Sequence, residues 1–262
     1  MSAANVVFLM YHEIELPGRS LCRVEPGYVR YVVKESEFRS QMHLLLQAGW
    51  SGFSVTHAFS ASRSPGLVIT FDDGCETDLL AAAPILQDAG FSATFYITLG
   101  FLGRSGYLTP AQVRELSDAG FDMGCHSLTH PYLTDLDKKG LEREIAEAKD
   151  RLEHIIGRGV HHFSCPGGRW NERAVEVARK AGYLTLATSR PHTNSPVSNA
   201  FSLGRVAVVR GTTLPAFERL CHGEGLWRLA LQDVLRDRVK TILGNSAYDR
   251  VRATLLHAKR PR

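Results

Sequence analysis

Apolar residues follow two alternating rhythms along this chain. Short runs of β-prone residues, each stopped by a polar or glycine-containing break, occupy residues 6–11, 67–71, 91–98, 121–125, 163–165, 183–189 and 201–209. Such runs predict strands buried on both faces, as in a parallel sheet. Between them the apolar spacing becomes helical. Residues 36–46, 77–88 and 171–181 read as helices, each followed by a glycine that ends it. Thr109-Pro110 supplies a cap and a first-turn proline for a helix reaching Ala119. Residues 136–156 place Leu141, Ile145, Ala148, Leu152 and Ile155-Ile156 at helical spacing, with their charged residues expected to face solvent. Repeated strand-helix order favours an α/β barrel over an antiparallel fold.

Residues 15–33 and 190–199 carry prolines and turn residues without periodicity and predict loops over a barrel mouth. From Leu214 onward the pattern is nearly all helical, notably over 226–243 and 247–256. The chain therefore divides into a barrel over residues 1–212 and a helical C-terminal extension over 213–262, packed on the barrel. At 262 residues it can bury one substantial core. With 44% hydrophobic and 22% charged residues, disorder is excluded for the bulk. A net charge of +4 is too small to predict a nucleic-acid partner. Five cysteines without close, regular spacing predict reduced thiols. The N-terminal apolar run lacks a basic leader and is too short for a signal peptide or membrane helix, so the expectation is a cytoplasmic protein without a membrane span.

Chemistry gathers where strand-like runs end. The run 67–71 stops at Asp72-Asp73-Gly74. Strand C-terminal ends carry the chemistry of barrels and open α/β sheets, and Gly74 permits a turn that brings both carboxylates into one site. The same residues also fit a simple turn with a helix N-cap. His126-Ser127-Leu128-Thr129-His130 follows the run 121–125. Two histidines four apart share one face of a helical turn, and an Asp with two His is a common facial set for Zn²⁺ or another divalent ion. The run 6–11 ends on His12, either a third contributor or an imidazole satisfied by backbone at a strand end.

Three segments together resemble the NodB-homology polysaccharide deacetylases, carbohydrate esterase family 4: Thr70-Phe71-Asp72-Asp73-Gly74, His126-Ser127-Leu128-Thr129-His130, and Phe163-Ser164-Cys165-Pro166-Gly167-Gly168 at the third motif. The resemblance implies a distorted (β/α) barrel of about seven strands, a metal held by Asp73, His126 and His130, and Asp72 as catalytic base. Met10-Tyr11-His12 resembles the branch that includes poly-N-acetylglucosamine deacetylases, which implies His12 as general acid. Pro166, Gly167, Gly168 and Arg190 become candidate substrate contacts. The implied activity is metal-dependent removal of N-acetyl groups from an amino sugar in a poly- or oligosaccharide, with Zn²⁺ the expected ion. Two departures stand out. Where many members open the third motif with an Arg that orients the catalytic Asp, this chain has Ser164, and the Asp-containing fourth motif is not recognisable around residues 183–194. These departures leave room for a catalytically silent saccharide-binding protein on the same fold, or a deacylase of another amide.

Overall fold

The computed structural model describes residues 5–58, 66–232 and 234. Among the described residues ten strands form: β1 (Phe8–Tyr11), β2 (Ile14–Glu15), β3 (Val33–Lys34), β4 (Ser51–Phe53), β5 (Gly66–Phe71), β6 (Thr94–Ile97), β7 (Asp122–Cys125), β8 (His162–Ser164), β9 (Thr185–Ala187) and β10 (Val206–Ala207). The α-helices are α1 (Pro26–Val29), α2 (Glu35–Gln47), α3 (Ala83–Asp88), α4 (Pro110–Asp118), α5 (Lys138–Glu142), α6 (Ala148–Ile156), α7 (Glu172–Lys180) and α8 (Leu214–Cys221).

Seven strands run in the order β10-β1-β5-β6-β7-β8-β9, all parallel, with β4 beside the first half of β5. A parallel bridge between Ala187 and Leu203 brings the approach to β10 back against β9, curling the sheet into the barrel that the strand-helix alternation predicts, distorted as the family resemblance implies. Most of the core lies between strands and helices, where the rings of Tyr11, Phe71 and Phe95 stack at centroid distances of 5.3 and 4.9 Å and Phe38 and Phe121 meet them edge-on. A smaller cluster of Phe8, Val68, Tyr96, Ala187 and Leu203 takes the alternate side chains of the strands. Gly124 on β7 makes room there, since a Cβ at that position would lie 2.4 Å from the Tyr96 ring.

Register then decides what reaches the mouth. Tyr11 pairs with Phe71, and the Asp72 amide donates to the Tyr11 carbonyl, so His12 and Asp72 leave adjacent strands at one level. Ile97 pairs with Cys125, and the His126 amide donates to the Ile97 carbonyl. His126 is thereby delivered one strand pair further round.

Several expected elements are shorter or broken. The run 201–209 yields only β10, because a turn at Asn199–Ser202 and the buried side chain of Arg205 occupy its first half. The segment 15–33 contains α1 and the small parallel pair β2–β3 rather than loop alone. Residues 136–156 start at Lys138, capped by Asp137, and pass through a wider π turn at Arg143–Glu147. Of the proposed C-terminal extension, α8 packs on α2 and a further helix starts at Leu226; its remainder lies outside the described residues. Among the described residues no helix is long and apolar enough to cross a membrane.

Candidate active site

Directly after β5 the chain turns sharply. Asp73 and Gly74 both take left-handed backbone angles, with φ of 83° and 79°. For a non-glycine residue that conformation costs about 1–2 kcal/mol. It carries both carboxylates out of strand alternation and into one site. Asp73 Oδ1 lies 3.3 Å from His130 Nε2 and 3.7 Å from His126 Nε2, and it is buried without a hydrogen-bond partner.

The two histidines do not share a helical turn. Residues 126–130 form a loop in which Ser127 and His130 both have φ of 67°. Interactions with neighbouring segments impose that shape. The Glu144 carboxylate accepts from the amides of Leu128 and Thr129 at 3.0 and 2.7 Å and from the Thr129 hydroxyl, while the His130 amide donates to Ser127 Oγ. Glu144 was expected on a solvated helix face; it is buried, because its helix turns that carboxylate toward the loop. His126 Nδ1 lies 2.9 Å from the Ser164 carbonyl, which accepts a proton only from the Nδ1-H tautomer and so leaves the Nε2 lone pair facing Asp73. Burial pushes the His126 pKa down to about 4, against the pull of Asp72, so the imidazole is neutral and available as a ligand at ordinary pH. A buried carboxylate oxygen without a donor, facing two imidazole nitrogens within 4.8 Å of one another, fits a divalent cation.

Asp72 points to a different partner. Arg205, just before β10, grips it through two parallel bonds, Nη1 to Oδ1 at 2.7 Å and Nη2 to Oδ2 at 2.8 Å. The same guanidinium donates to Ser164 Oγ at 2.7 Å, to Thr70 Oγ1 and to the Thr188 carbonyl, and it lies over the Tyr96 ring. Burial alone would raise the Asp72 pKa, but Arg205, with His126 and His12, outweighs burial and holds it well below the usual carboxylate range. The charge missing at Ser164 is therefore supplied by Arg205, from the residue just ahead of β10. Arg205 belongs to none of the sequence motifs; its one sign in the sequence is a lone cation inside an apolar strand-like run.

His12 lines the same cavity, with its ring 4.9 Å from that of Tyr31 and its Nδ1 buried without a partner. Burial pushes its pKa below the usual histidine value, against the attraction of Asp73 and Asp72. The cavity, about 1270 Å³, is also lined by Gly167, Gly168 and Arg190, three of the four candidate contacts. Pro166 is not on its wall. It is buried, opening the short turn that follows Cys165.

A second donor set, Glu13, Cys22 and Cys75, lies beside the mouth. The Glu13 carboxylate accepts from the Cys22 amide and the Tyr28 hydroxyl, and Cys22 Sγ donates to the Gly106 carbonyl. These bonds tie the 15–33 segment to the barrel. All five cysteines are free thiols, as their spacing predicts.

Residues 60–186, which contain the Asp pair, the His pair and Ser164, match the family described as polysaccharide deacetylase. The chain is similar to that family over just under half of its length. It is 28% identical over 220 residues to the polysaccharide deacetylase-like YxkH of Bacillus subtilis, covering 82% of this chain and 75% of YxkH. It is 36% identical over 125 residues to a chitooligosaccharide deacetylase of Azorhizobium caulinodans, covering 47% of this chain and 58% of that one. The fold matches that of the Streptococcus pyogenes deacetylase PplD, solved in complex with acetate, with a TM-score of 0.73 at 21% identity over 84% of this chain and 99% of that chain. Arg205 and His12 both lie outside residues 60–186.

Proposed function

We propose that this chain is a metal-dependent hydrolase that removes N-acetyl groups from an amino sugar in a poly- or oligosaccharide, releasing acetate. One observation carries the reading: a carboxylate held ionised by a buried Arg stands beside an Asp-His-His set in a cavity that also receives His12. Amide hydrolysis needs an activated water, stabilisation of charge on oxygen and a proton for the departing nitrogen. Asp73, His126 and His130 would hold the ion, with Zn²⁺ the expected one. A divalent ion there supplies Lewis acidity toward both the acetyl carbonyl and the attacking water. Asp72 takes the proton from that water, with its orientation fixed by Arg205. His12 gives a proton to the amine, and its lowered pKa makes the protonated form a strong donor. Gly167 and Gly168 bring backbone to the cavity edge for the sugar.

Arg205 also weakens the case for a silent binding protein, which rested on the charge missing at position 164. Binding alone does not require a buried ionised Asp beside a ligand set. The test is acetate release from N-acetylglucosamine oligomers by the purified chain, with metal content measured in parallel. Bound metal that persists in a His126→Ala, His130→Ala variant removes the ligand assignment. A metal-loaded chain that releases no acetate from any N-acetylated sugar removes the activity.

A further inference from the structure

The walls of the catalytic cavity are strongly basic. Apart from Arg205, which is committed to Asp72, six arginines line it: Arg23, Arg30, Arg169, Arg190, Arg219 and Arg228. Among the described residues only Asp135 and Glu224 oppose them outside the Asp72-Asp73 pair. None of the six lies within ion-pair distance of a carboxylate among the described residues, whereas Arg39, Arg151, Arg158 and Arg210 elsewhere each hold one. Four of the six are instead lodged on aromatic rings, Arg228 on that of its neighbour Trp227 at 5.1 Å. Arg169 lies 3.7 Å from the Tyr132 ring centroid, Arg190 5.4 Å from that of Trp170, and Arg23 between Tyr28 and Phe101 at 5.2 and 5.6 Å. A guanidinium stacked by its face is immobilised while its edge N-H groups stay free to donate. Two donors on this wall have no acceptor: Arg169 Nη1 and Trp170 Nε1 are buried and unpartnered. The whole chain carries only +4, so the excess is a property of this surface rather than of the composition.

We propose that the saccharide taken by this site is anionic, carrying carboxylate or phosphate groups on sugars flanking the N-acetylated one. A planar fork with free edge donors matches the two oxygens of a carboxylate or phosphate, and an uncharged sugar hydroxyl leaves most of that charge unused. The orphaned Arg169 and Trp170 donors mark where such a group would sit, on the side of the cavity reached through the third motif. This inference rests on the deacetylation reading for the reaction but not for the binding, so the two are separable.

The experiment compares a hyaluronan tetrasaccharide, in which N-acetylglucosamine alternates with a uronate, with uncharged chitotetraose, and adds UDP-N-acetylglucosamine as the phosphate arm. Binding is measured by calorimetry on the metal-loaded Asp72→Asn chain, and acetate release on the unmodified one. The expected result is at least about tenfold tighter binding of one anionic ligand than of chitotetraose, shrinking as salt is raised. In an Arg169→Gln, Arg190→Gln variant the preference should collapse toward parity. Equal or weaker binding of both anionic ligands, or a preference insensitive to salt, overturns the proposal even if that double variant fails to fold. Anion-selective binding without acetate release from any ligand overturns the deacetylation reading and leaves this one standing.

Discussion

Arg205 shows how much of this site depends on one side chain that the motifs do not contain. Its two parallel bonds to Asp72 are wholly buried, and removal of one partner of such a pair costs about 3–5 kcal/mol because the other charge is left desolvated. Arg205→Ala should therefore lower the unfolding free energy by about that amount and acetate release by on the order of a hundredfold, with Arg205→Lys intermediate because an ammonium cannot reproduce the fork. A transfer variant, Ser164→Arg with Arg205→Ser, should recover part of the activity, since Ser164 Oγ already lies 2.7 Å from the guanidinium it would replace. No recovery in a folded transfer variant would mean that β10 supplies more than charge. His12 makes a different prediction. As proton donor to nitrogen it matters only when the leaving group needs a proton, so His12→Ala should lose amide cleavage by roughly a hundredfold and be impaired less on 4-nitrophenyl acetate. Equal losses on both substrates would assign it to positioning. At this scale the sequence made the Asp pair and the His pair legible, because they are contiguous with the strands that deliver them. Arg205 and Glu144 were not legible, because each acts through a contact more than ten residues away that no local pattern encodes.

Elements set the geometry that these residues need. The loop 126–130 holds two non-glycine residues in left-handed conformations, and Glu144 on the π turn is the anchor that keeps it there. Glu144→Ala should weaken metal binding by about 10–100-fold, the usual cost of losing an outer support of a ligand, while leaving the fold intact. Unchanged affinity in a competition titration would show that the loop holds its shape alone. At the start of β8, His162 bonds Thr56 and Thr185 and faces Asp122, at the opposite end of the strand from Ser164. Burial outweighs Asp122 and lowers its pKa from 6.5. The fold thus favours neutral His162, and the stabilisation it gives is complete above the unfolded pKa and lost as pH falls through the lower folded value. Removal of this titration in His162→Gln should shrink the drop in urea midpoint between about pH 7.5 and about pH 5.5. An unchanged drop would place the acid sensitivity elsewhere. Helix starts with their own chemistry, such as the Thr109 cap on Pro110, were readable in the sequence. The π turn was not, since its apolar spacing is indistinguishable from that of an α-helix.

For the whole molecule, the strand-helix alternation was enough to predict the barrel, because a fully parallel sheet leaves that rhythm in the sequence. The mouth was harder to read. Its walls come from segments without periodicity, and only tertiary contacts such as the Glu13 cluster give them shape. Glu13→Ala should release the 15–33 segment, lower stability by about 1–3 kcal/mol through the donors left unpaired, and speed proteolytic cleavage within residues 17–24. A cleavage rate equal to that of the unmodified chain would mean that the neighbouring Arg23 contacts hold the segment unaided.

The position of Arg205 also bears on how the molecule comes into being. Synthesis lays down the Asp pair, the His pair and Ser164 well before the cation that completes them, and that cation arrives only when β10, two residues long, docks against β1. Until then Asp72 faces a forming interior without a counter-charge, and the preceding strands have no reason to close tightly around it. Closure of the ring and arming of the base are one event, so a chain halted before residue 205 is left both open and unarmed.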